Sequence, residues 1–330
     1  SSKDLKTIYG YRIFAVDGSD INIARDKDAP TFIASEDHPK GGYNQYHLNV
    51  LFDPVNKVFI ECILQPRPQI GEREALIEML KRTTFQEKSL IIGDRGYESY
   101  HVLKHLLDKP NVEFIIRLKQ GYSAMKPIRS LPMEEWDKDI EFTVTTTQTL
   151  TDKQNGHILN PRGSNWDFES PCKMKIRFVR ILLDTGEYET VATSLDRAAF
   201  PASRIKELYY MRWGIETAFR DLKYTSGIVH LLSRKDESIR QEIYASLIMF
   251  NFCARIAVNI TIHKERRKYG YKVNFKMAFS VCRRFFLGIR NGPELIMDVC
   301  KYLTPIRPGR RDTRNVRRQS FVSFNYRIAA

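Results

Sequence analysis

The sequence predicts a mixed α/β protein, with a central sheet covered by helices and interrupted by a β-rich insertion. Three observations lead there. Short apolar runs of strand type open the chain, and segments of helical period then alternate with further apolar runs. A threonine-rich, alternating stretch follows before helical period returns.

Tyr11–Val16 is an apolar run that ends at Asp17-Gly18-Ser19. Asn44–Phe52 and Val58–Leu64 follow, parted by the turn Asp53-Pro54-Val55-Asn56-Lys57, and the three read as an antiparallel meander. Arg73–Lys81 has helical period. Ser89–Ile92 is a buried strand running into Gly93-Asp94-Arg95-Gly96-Tyr97, Tyr100–Leu107 is a helix, and Glu113–Leu118 is a fifth strand. Residues 1–120 therefore read as the first part of a core whose sheet is covered on both faces.

Residues 121–200 read as the insertion. Ile140–Thr147 is threonine-rich, and Tyr188–Thr193 continues in that style. Lys173–Phe178 alternates, which sets Lys173, Lys175 and Arg177 on one face and Met174, Ile176 and Phe178 on the other. Such a basic face is either solvated or a DNA groove. Asp152–Pro171, rich in Asn, Gly and Pro, reads as a long loop. Residues 201–260 return to the core, with Arg204–Lys223 as one helix and Ile239–Ile260 as another. Residues 261–330 form a C-terminal helical region with a helix at Phe275–Leu287 and a basic tail, Arg307–Arg318. That tail has six arginines and one aspartate. With Arg310, Arg311, Arg314, Arg317 and Arg318 it reads as a nucleic-acid arm, the alternative being a solubilising tail.

At 330 residues and 42% hydrophobic, the chain can bury a sizeable core and hold two domains. Fifty-three Lys and Arg against 39 Asp and Glu leave a net charge of +14, which favours a polyanionic partner. Nucleic acid is the first reading and a membrane surface the second. No run approaches the roughly 18 apolar residues of a membrane span. The best stretch, Ile243–Val258, is broken by Asn251 and Arg255, and the start lacks the apolar run of a signal peptide. Five scattered cysteines without a CxxC point to reduced thiols, a cytoplasmic setting and no zinc finger. His101 and His105 stand four apart without the intervening Glu of a zincin helix, and read as a solvated helix face. The start at Ser1, with a strand almost at once, fits a chain that lacks an upstream domain.

Asp17 and Asp94 each closely follow an apolar strand and precede glycine within two residues. Singly, each reads as a turn or cap. If their strands are neighbours, both carboxylates emerge on one sheet edge. On the helix expected at Arg204–Lys223, Leu208, Met211, Ile215, Phe219 and Leu222 form a core stripe. Tyr209, Arg212, Glu216 and Lys223 form a second stripe beside it, which is either a solvated face of charge pairs or part of a site. Three carboxylates converging in a basic protein repel one another unless a divalent cation lies between them. Oxygen-only ligands suit Mg²⁺ or Mn²⁺, and two such ions about 3.5–4 Å apart can hold both the attacking and the leaving oxygen of a phosphodiester displacement. The combination points to a polynucleotidyl transferase or nuclease.

The three patterns, Asp17-Gly18-Ser19, Asp94-Arg95-Gly96-Tyr97 and Tyr209-x2-Arg212-x3-Glu216-x6-Lys223, resemble the bacterial cut-and-paste DDE transposases of the insertion-sequence-four type. The resemblance runs from about Tyr11 to Val258. It implies an RNase H-like catalytic core with a β insertion between the second Asp and the Glu. It also implies Asp17, Asp94 and Glu216 as the catalytic, metal-binding triad, with two Mg²⁺ ions or Mn²⁺ in their place. Tyr209, Arg212 and Lys223 would hold phosphates of a transposon end, and Arg95 would be a further DNA contact. The implied activity is metal-dependent cleavage at transposon ends and strand transfer of the 3′-OH into target DNA. The partners would be double-stranded DNA and a second copy of the chain on that DNA, in a bacterial, nucleoid-associated setting; no small-molecule substrate is implied. Members commonly pass through a hairpin with a base turned out against an aromatic. Trp136 and Trp166 are candidates for that platform, with core packing as the other reading of each.

This sequence departs from the family in two places. Only 16 residues precede Asp17, where the family carries an end-recognition domain, and the region after Val258 matches nothing residue by residue. Two further readings stand beside transposition. One is a transposase-derived DNA-binding protein without activity; the other is an RNase H-like nuclease or resolvase without strand transfer.

Overall fold

The structure is a computed structural model that describes residues 5–160, 166–260, 262, 270–289 and 291–306. The first part of the chain forms β1 (Arg12–Ile23), β2 (Phe32–Ala34), β3 (Gly42–Asp53), β4 (Val58–Pro66), α1 (Glu72–Arg82), β5 (Ser89–Gly93), α2 (Tyr100–Asp108) and β6 (Val112–Arg117). Then come β7 (Trp136–Thr145), α3 (Leu150–Gln154), β8 (Ile158–Leu159), β9 (Cys172–Leu182), β10 (Tyr188–Thr193), α4 (Ala202–Tyr210) and α5 (Trp213–Tyr224). The last described elements are α6 (Asp236–Asn259), β11 (Tyr271–Val273), α7 (Phe275–Phe286), α8 (Gly292–Lys301) and β12 (Leu303–Pro305). No helix among the described residues is long and apolar enough to cross a membrane.

The fold is mixed α/β, as expected. Its main sheet has the strand order β2-β3-β1-β5-β6-β10-β9-β7-β8, with β4 also paired to β3. β1, β5 and β6 run parallel, with Val16 opposite Gly93 and Gly93 opposite Ile116. From β6 onward the ladder is antiparallel through β10, β9 and β7. The parallel strands are continuous apolar runs, Ile13–Val16, Leu90–Ile92 and Phe114–Ile116, all fully buried. A strand needs that composition when helices cover both of its faces. The strands of residues 121–200 join this same sheet through the β6–β10 pairing.

By its contacts the chain divides into two units. The first holds residues 1–17, 49–55 and 71–214. Its core gathers Ile13, Leu90, Ile92, Ile115, Val179 and Val191 from the sheet with Ile205, Leu208 and Tyr209 of α4. Here α1 and α2 pack on each other, and α2 lies against β6. The second unit holds residues 18–48, 56–70 and 215–330. In it α6 lies on β4, where the Asn251 side chain bonds both the N–H and the C=O of Phe59 at 2.7 Å. Asn251, a polar break in the sequence, is thus a clamp on a strand backbone. Cys253, Ala278, Val281, Cys282, Leu295 and Val299 form the core between α6, α7 and α8.

Four local expectations change. β1 does not stop at Asp17 but runs on to Ile23. Gly18 makes this possible, because a Cβ there would lie 2.0 Å from His47 Nε2. The helix expected over Arg204–Lys223 is two helices, broken at Met211 and Arg212. There the hydrogen bonds step by three residues: Met211 N to Leu208 O at 3.1 Å, Arg212 N to Tyr209 O at 3.0 Å and Gly214 N to Met211 O at 3.0 Å. Gly214 lets the chain pass Pro54, whose Cβ would be 2.7 Å from an added Cβ. The expected loop over Asp152–Pro171 contains most of α3 and all of β8, because Thr149 and Asp152 form a reciprocal capping box that starts a helix. Finally, the basic face of β9 ends at Lys175: Arg177 is buried in a pair with Asp137 of β7. The basic tail with its arginines lies outside the described residues.

Candidate active site

The site begins with the register of β1 and β5. Val16 faces Gly93 across two parallel strands, so Asp17 and Asp94 are the next residues along each. Glycine fits this packed level, since an added Cβ at 93 would meet Ile116 Cδ1 at 2.9 Å and Val16 Cγ1 at 3.1 Å. Beyond β5 the chain turns at once into the 3₁₀ turn Arg95–Tyr97, which Asp94 caps by accepting the Gly96 N–H at 2.7 Å. Arg73 Nε donates to Gly96 O at 2.9 Å and fixes the other side of the turn. The Asp94 carboxylate is therefore held in place before any ligand arrives.

Arg212 closes the site from the turn between α4 and α5. It is only 8% exposed, and its Nη1 lies 3.8 Å from Asp17 Oδ2. Its guanidinium carbon sits 5.1 Å from the centre of the Trp213 ring. Tyr209, at the end of α4, is buried as well, and its hydroxyl finds no hydrogen-bond partner among the described residues. Burial pushes its phenol pKa up; Arg212 and Arg117 pull it down, Glu189 and Asp94 add to the rise, and the net shift is upward. Tyr97 is fully buried, also without a hydroxyl partner among the described residues. Burial first, then the charges of Glu72, Asp17 and Asp94, hold its pKa well above the ordinary value. Both phenols stay protonated, and each can donate to an anionic oxygen.

Glu72 is a carboxylate that sequence reasoning missed. Its Oε2 would lie 3.2 Å from a Cβ on Gly96, against 2.9 Å for Asp94 Oδ1. Glu72 opens α1, and an acid in a first helical turn is so common that the sequence carries no signal for it.

The other expected residues are placed as follows. Glu216 is exposed in the first turn of α5, in the second unit. Lys223 stands two turns along the same helix face, half-buried; burial lowers its ammonium pKa and Asp20 opposes that shift. Asp20 itself accepts from His47 Nδ1 at 2.6 Å and Arg67 Nε at 3.0 Å. The break at Met211 and Arg212 thus splits the single stripe expected from sequence: Tyr209 and Arg212 belong to the first unit, Glu216 and Lys223 to the second. Arg95 is exposed beside Asp94.

On β9, Lys173 and Lys175 are exposed and lie 2.9 and 3.9 Å from Glu141 of β7. Arg177 is not part of that face. It is 4% exposed, donates to both oxygens of Asp137 at 2.8 and 2.7 Å, and donates to Leu195 O at 3.0 Å. A guanidinium so committed is a packing element. Trp136 donates to Pro132 O at 3.0 Å, and the Arg180 guanidinium covers one ring face at 4.7 Å. Trp166 packs against His101 and Phe168 with ring centres 5.6 and 5.5 Å away.

The first-unit donors suit a hard divalent cation. Asp17 and Asp94 offer carboxylate oxygens, as Mg²⁺ and Mn²⁺ prefer. The absent Cβ at Gly96 leaves room beside Asp94 Oδ1.

A family model described as the transposase DDE domain matches residues 8–252, and the chain belongs to that family. No curated protein matches it. Among solved structures it is similar to a cryo-EM structure of the piggyBac transposase synaptic complex with hairpin DNA. The likeness has 13% identity and a TM-score of 0.47, over 91% of this chain and 59% of that one. This chain therefore spans less than two thirds of that protein.

Proposed function

We propose that this chain is a metal-dependent DNA transposase of the cut-and-paste, insertion-sequence-four type, which cleaves double-stranded DNA at transposon ends and joins the freed 3′-OH to target DNA. One observation carries the proposal. Asp17 and Asp94, the first two acids of the family's pattern, follow directly on a register pair of adjacent parallel strands. In open α/β sheets, ligands bind at the carboxyl ends of parallel strands; Asp94 stands just past that end of β5, and Asp17 stands beside it within β1. Glu216, on the helix that follows Arg212, is the third acid of the set.

Asp17, Asp94 and Glu216 would hold two Mg²⁺ ions, or Mn²⁺. When bound, these ions supply activation of the attacking oxygen and neutralisation of charge on the leaving one. The chain's own residues do the positioning. Asp94 is pre-set by the Gly96 N–H. Arg212 offers a fork suited to bidentate phosphate contact, and its ion pair with Asp17 can open toward DNA. Tyr209 keeps its proton and would donate to a phosphate oxygen, while Tyr97, fully buried, stays protonated beneath the two acids. Lys223 adds a cation two turns beyond Glu216, and Arg95, Lys173 and Lys175 add exposed charge along the DNA path. The +14 net charge agrees with a DNA partner. We further read residues 121–200 as the family's β-rich insertion, residues 261–330 as a helical region with a DNA-binding arm, and the working form as a dimer on DNA in the bacterial cytoplasm.

The test is a cleavage and joining reaction with Mg²⁺ and a pool of transposon-end duplexes. Wild-type chain should nick the duplexes and join a 3′ end to a second duplex, and Glu216→Gln should bind DNA without cutting. Cleavage without joining would favour the plain nuclease. Binding without cleavage by the wild type would favour the inactive DNA-binding protein.

A further inference from the structure

We propose that His101, His105 and Asp167 form a transition-metal site, with donors suited to Zn²⁺, that fastens residues 166–168 onto α2. This is separate from the proposed catalytic carboxylates and does not depend on them.

The two histidines lie one turn apart on α2 and share a face. They are not a solvated face, as their spacing alone suggests: their side chains are only 14% and 12% exposed. Their Nε2 atoms lie 3.2 Å apart, and Asp167 Oδ1 is 2.7 Å from one and 3.0 Å from the other. All three ligand atoms fall within 4.8 Å of one another. Zinc bonds of about 2.0–2.2 Å at tetrahedral angles place neighbouring ligand atoms roughly 3.3 Å apart. The nitrogen pair nearly meets that spacing, and Asp167 Oδ1 needs to withdraw by about 0.6 Å from His101 and about 0.3 Å from His105.

One carboxylate oxygen can accept from two imidazole N–H groups, but here the two protons would lie close together at Oδ1; if one Nε2 is bare, its lone pair faces those of Oδ1. A cation at the centre resolves both cases, since every atom then presents a lone pair to it. Two imidazole nitrogens and one carboxylate oxygen form a zinc ligand set, with a fourth position left for water.

The surroundings fix the ligands. Lys81 Nζ holds the other oxygen, Asp167 Oδ2, at 2.7 Å, which turns Oδ1 toward the rings. Phe168 packs on His105 with ring centres 4.6 Å apart, and Trp166 on His101 at 5.6 Å. Lys104 lies over Phe168 at 5.3 Å and has its own partner, Asp108, at 2.5 Å. The aromatic rings hold the two imidazoles in orientation, while Asp167 and the fourth position face solvent. Asp167 lies 62 residues from His105 in sequence, so the ion would tie a distant segment to the helix.

The experiment uses the full chain without a histidine tag, stripped with a chelator, then equilibrated with Zn²⁺ in the presence of excess Mg²⁺. After desalting, elemental analysis should find one Zn²⁺ per chain, and the same ratio in Asp94→Asn, a change in the carboxylate site. His101→Gln/His105→Gln and Asp167→Asn should both fall to background. Co²⁺ in place of Zn²⁺ should give the intense visible bands of a tetrahedral site in the wild type, and this readout needs no variant to fold. Wild-type zinc no higher than in the double variant, zinc lost in Asp94→Asn instead, or no visible cobalt bands would each overturn the proposal.

Discussion

Asp17 and Asp94 each stand one residue beyond a member of the same register pair, Val16 and Gly93, on parallel strands with no strand between them. Parallel pairing makes the two acids neighbours at one level of the sheet. An antiparallel pair would send the chain beyond Gly93 in the opposite direction from Asp17.

The packing at that level is built around glycine at 93. Gly93→Ala drives a methyl group against Ile116 and Val16 at 2.9 and 3.1 Å, in a fully packed layer. Overpacking of this kind costs about 1–3 kcal/mol. Urea unfolding should show a lower midpoint with an unchanged slope; a midpoint equal to wild type would contradict the packing described.

Gly96 does a different job. A methyl group there comes within 2.9 Å of Asp94 Oδ1 and 3.2 Å of Glu72 Oε2, so the carboxylate must move while the core stays intact. Gly96→Ala should slow DNA cleavage on the order of 10²-fold, the scale of a misplacement near 1 Å, with stability within about 1 kcal/mol of wild type. Cleavage at the wild-type rate would mean that Asp94 need not be held.

Arg177 of β9 pairs with Asp137 of β7 and braces the two strands. Burial alone would raise the Asp137 carboxyl, but Arg177 and Arg197 more than reverse this and hold its pKa below the ordinary value. The sign follows directly: a depressed folded pKa gives stability that is present above the unfolded value and lost as pH falls through the folded one. Arg177→Met should cost roughly 3 kcal/mol near neutral pH and flatten the acid limb of the stability curve. DNA affinity should keep its salt slope. A slope reduced by about one unit, as for a lost phosphate contact, would return Arg177 to the DNA face.

Lys223 is expected to behave in the opposite way. Lys223→Ala should weaken DNA binding and reduce its salt slope by about one unit with little effect on folding. Measured binding against salt concentration decides this, and an unchanged slope would remove Lys223 from the phosphate contacts.

Much of the fold was legible because its strands are strongly patterned. Ile13–Val16 and Leu90–Ile92 are unbroken apolar runs, and each leads straight to its acid. What stayed hidden depends on contacts remote in sequence. The helix break at Met211 and Arg212 escaped because a three-residue step resembles the 3.6-residue period over one turn. Arg177 alternates correctly with its neighbours, and only Asp137, 40 residues away, reveals that it points into a packed pair. His101 and His105 carried a visible spacing, but the oxygen that gives it meaning lies on Asp167. Glu72 looked like any acid that opens a helix.

An anomalous difference map from crystals of the DNA-bound chain soaked in Mn²⁺ would locate the ions. Density should touch Asp17, Asp94 and Glu216 together and be lost in Asp94→Asn. Manganese bound elsewhere, or Glu216 remote from ions held by Asp17 and Asp94, would contradict that triad.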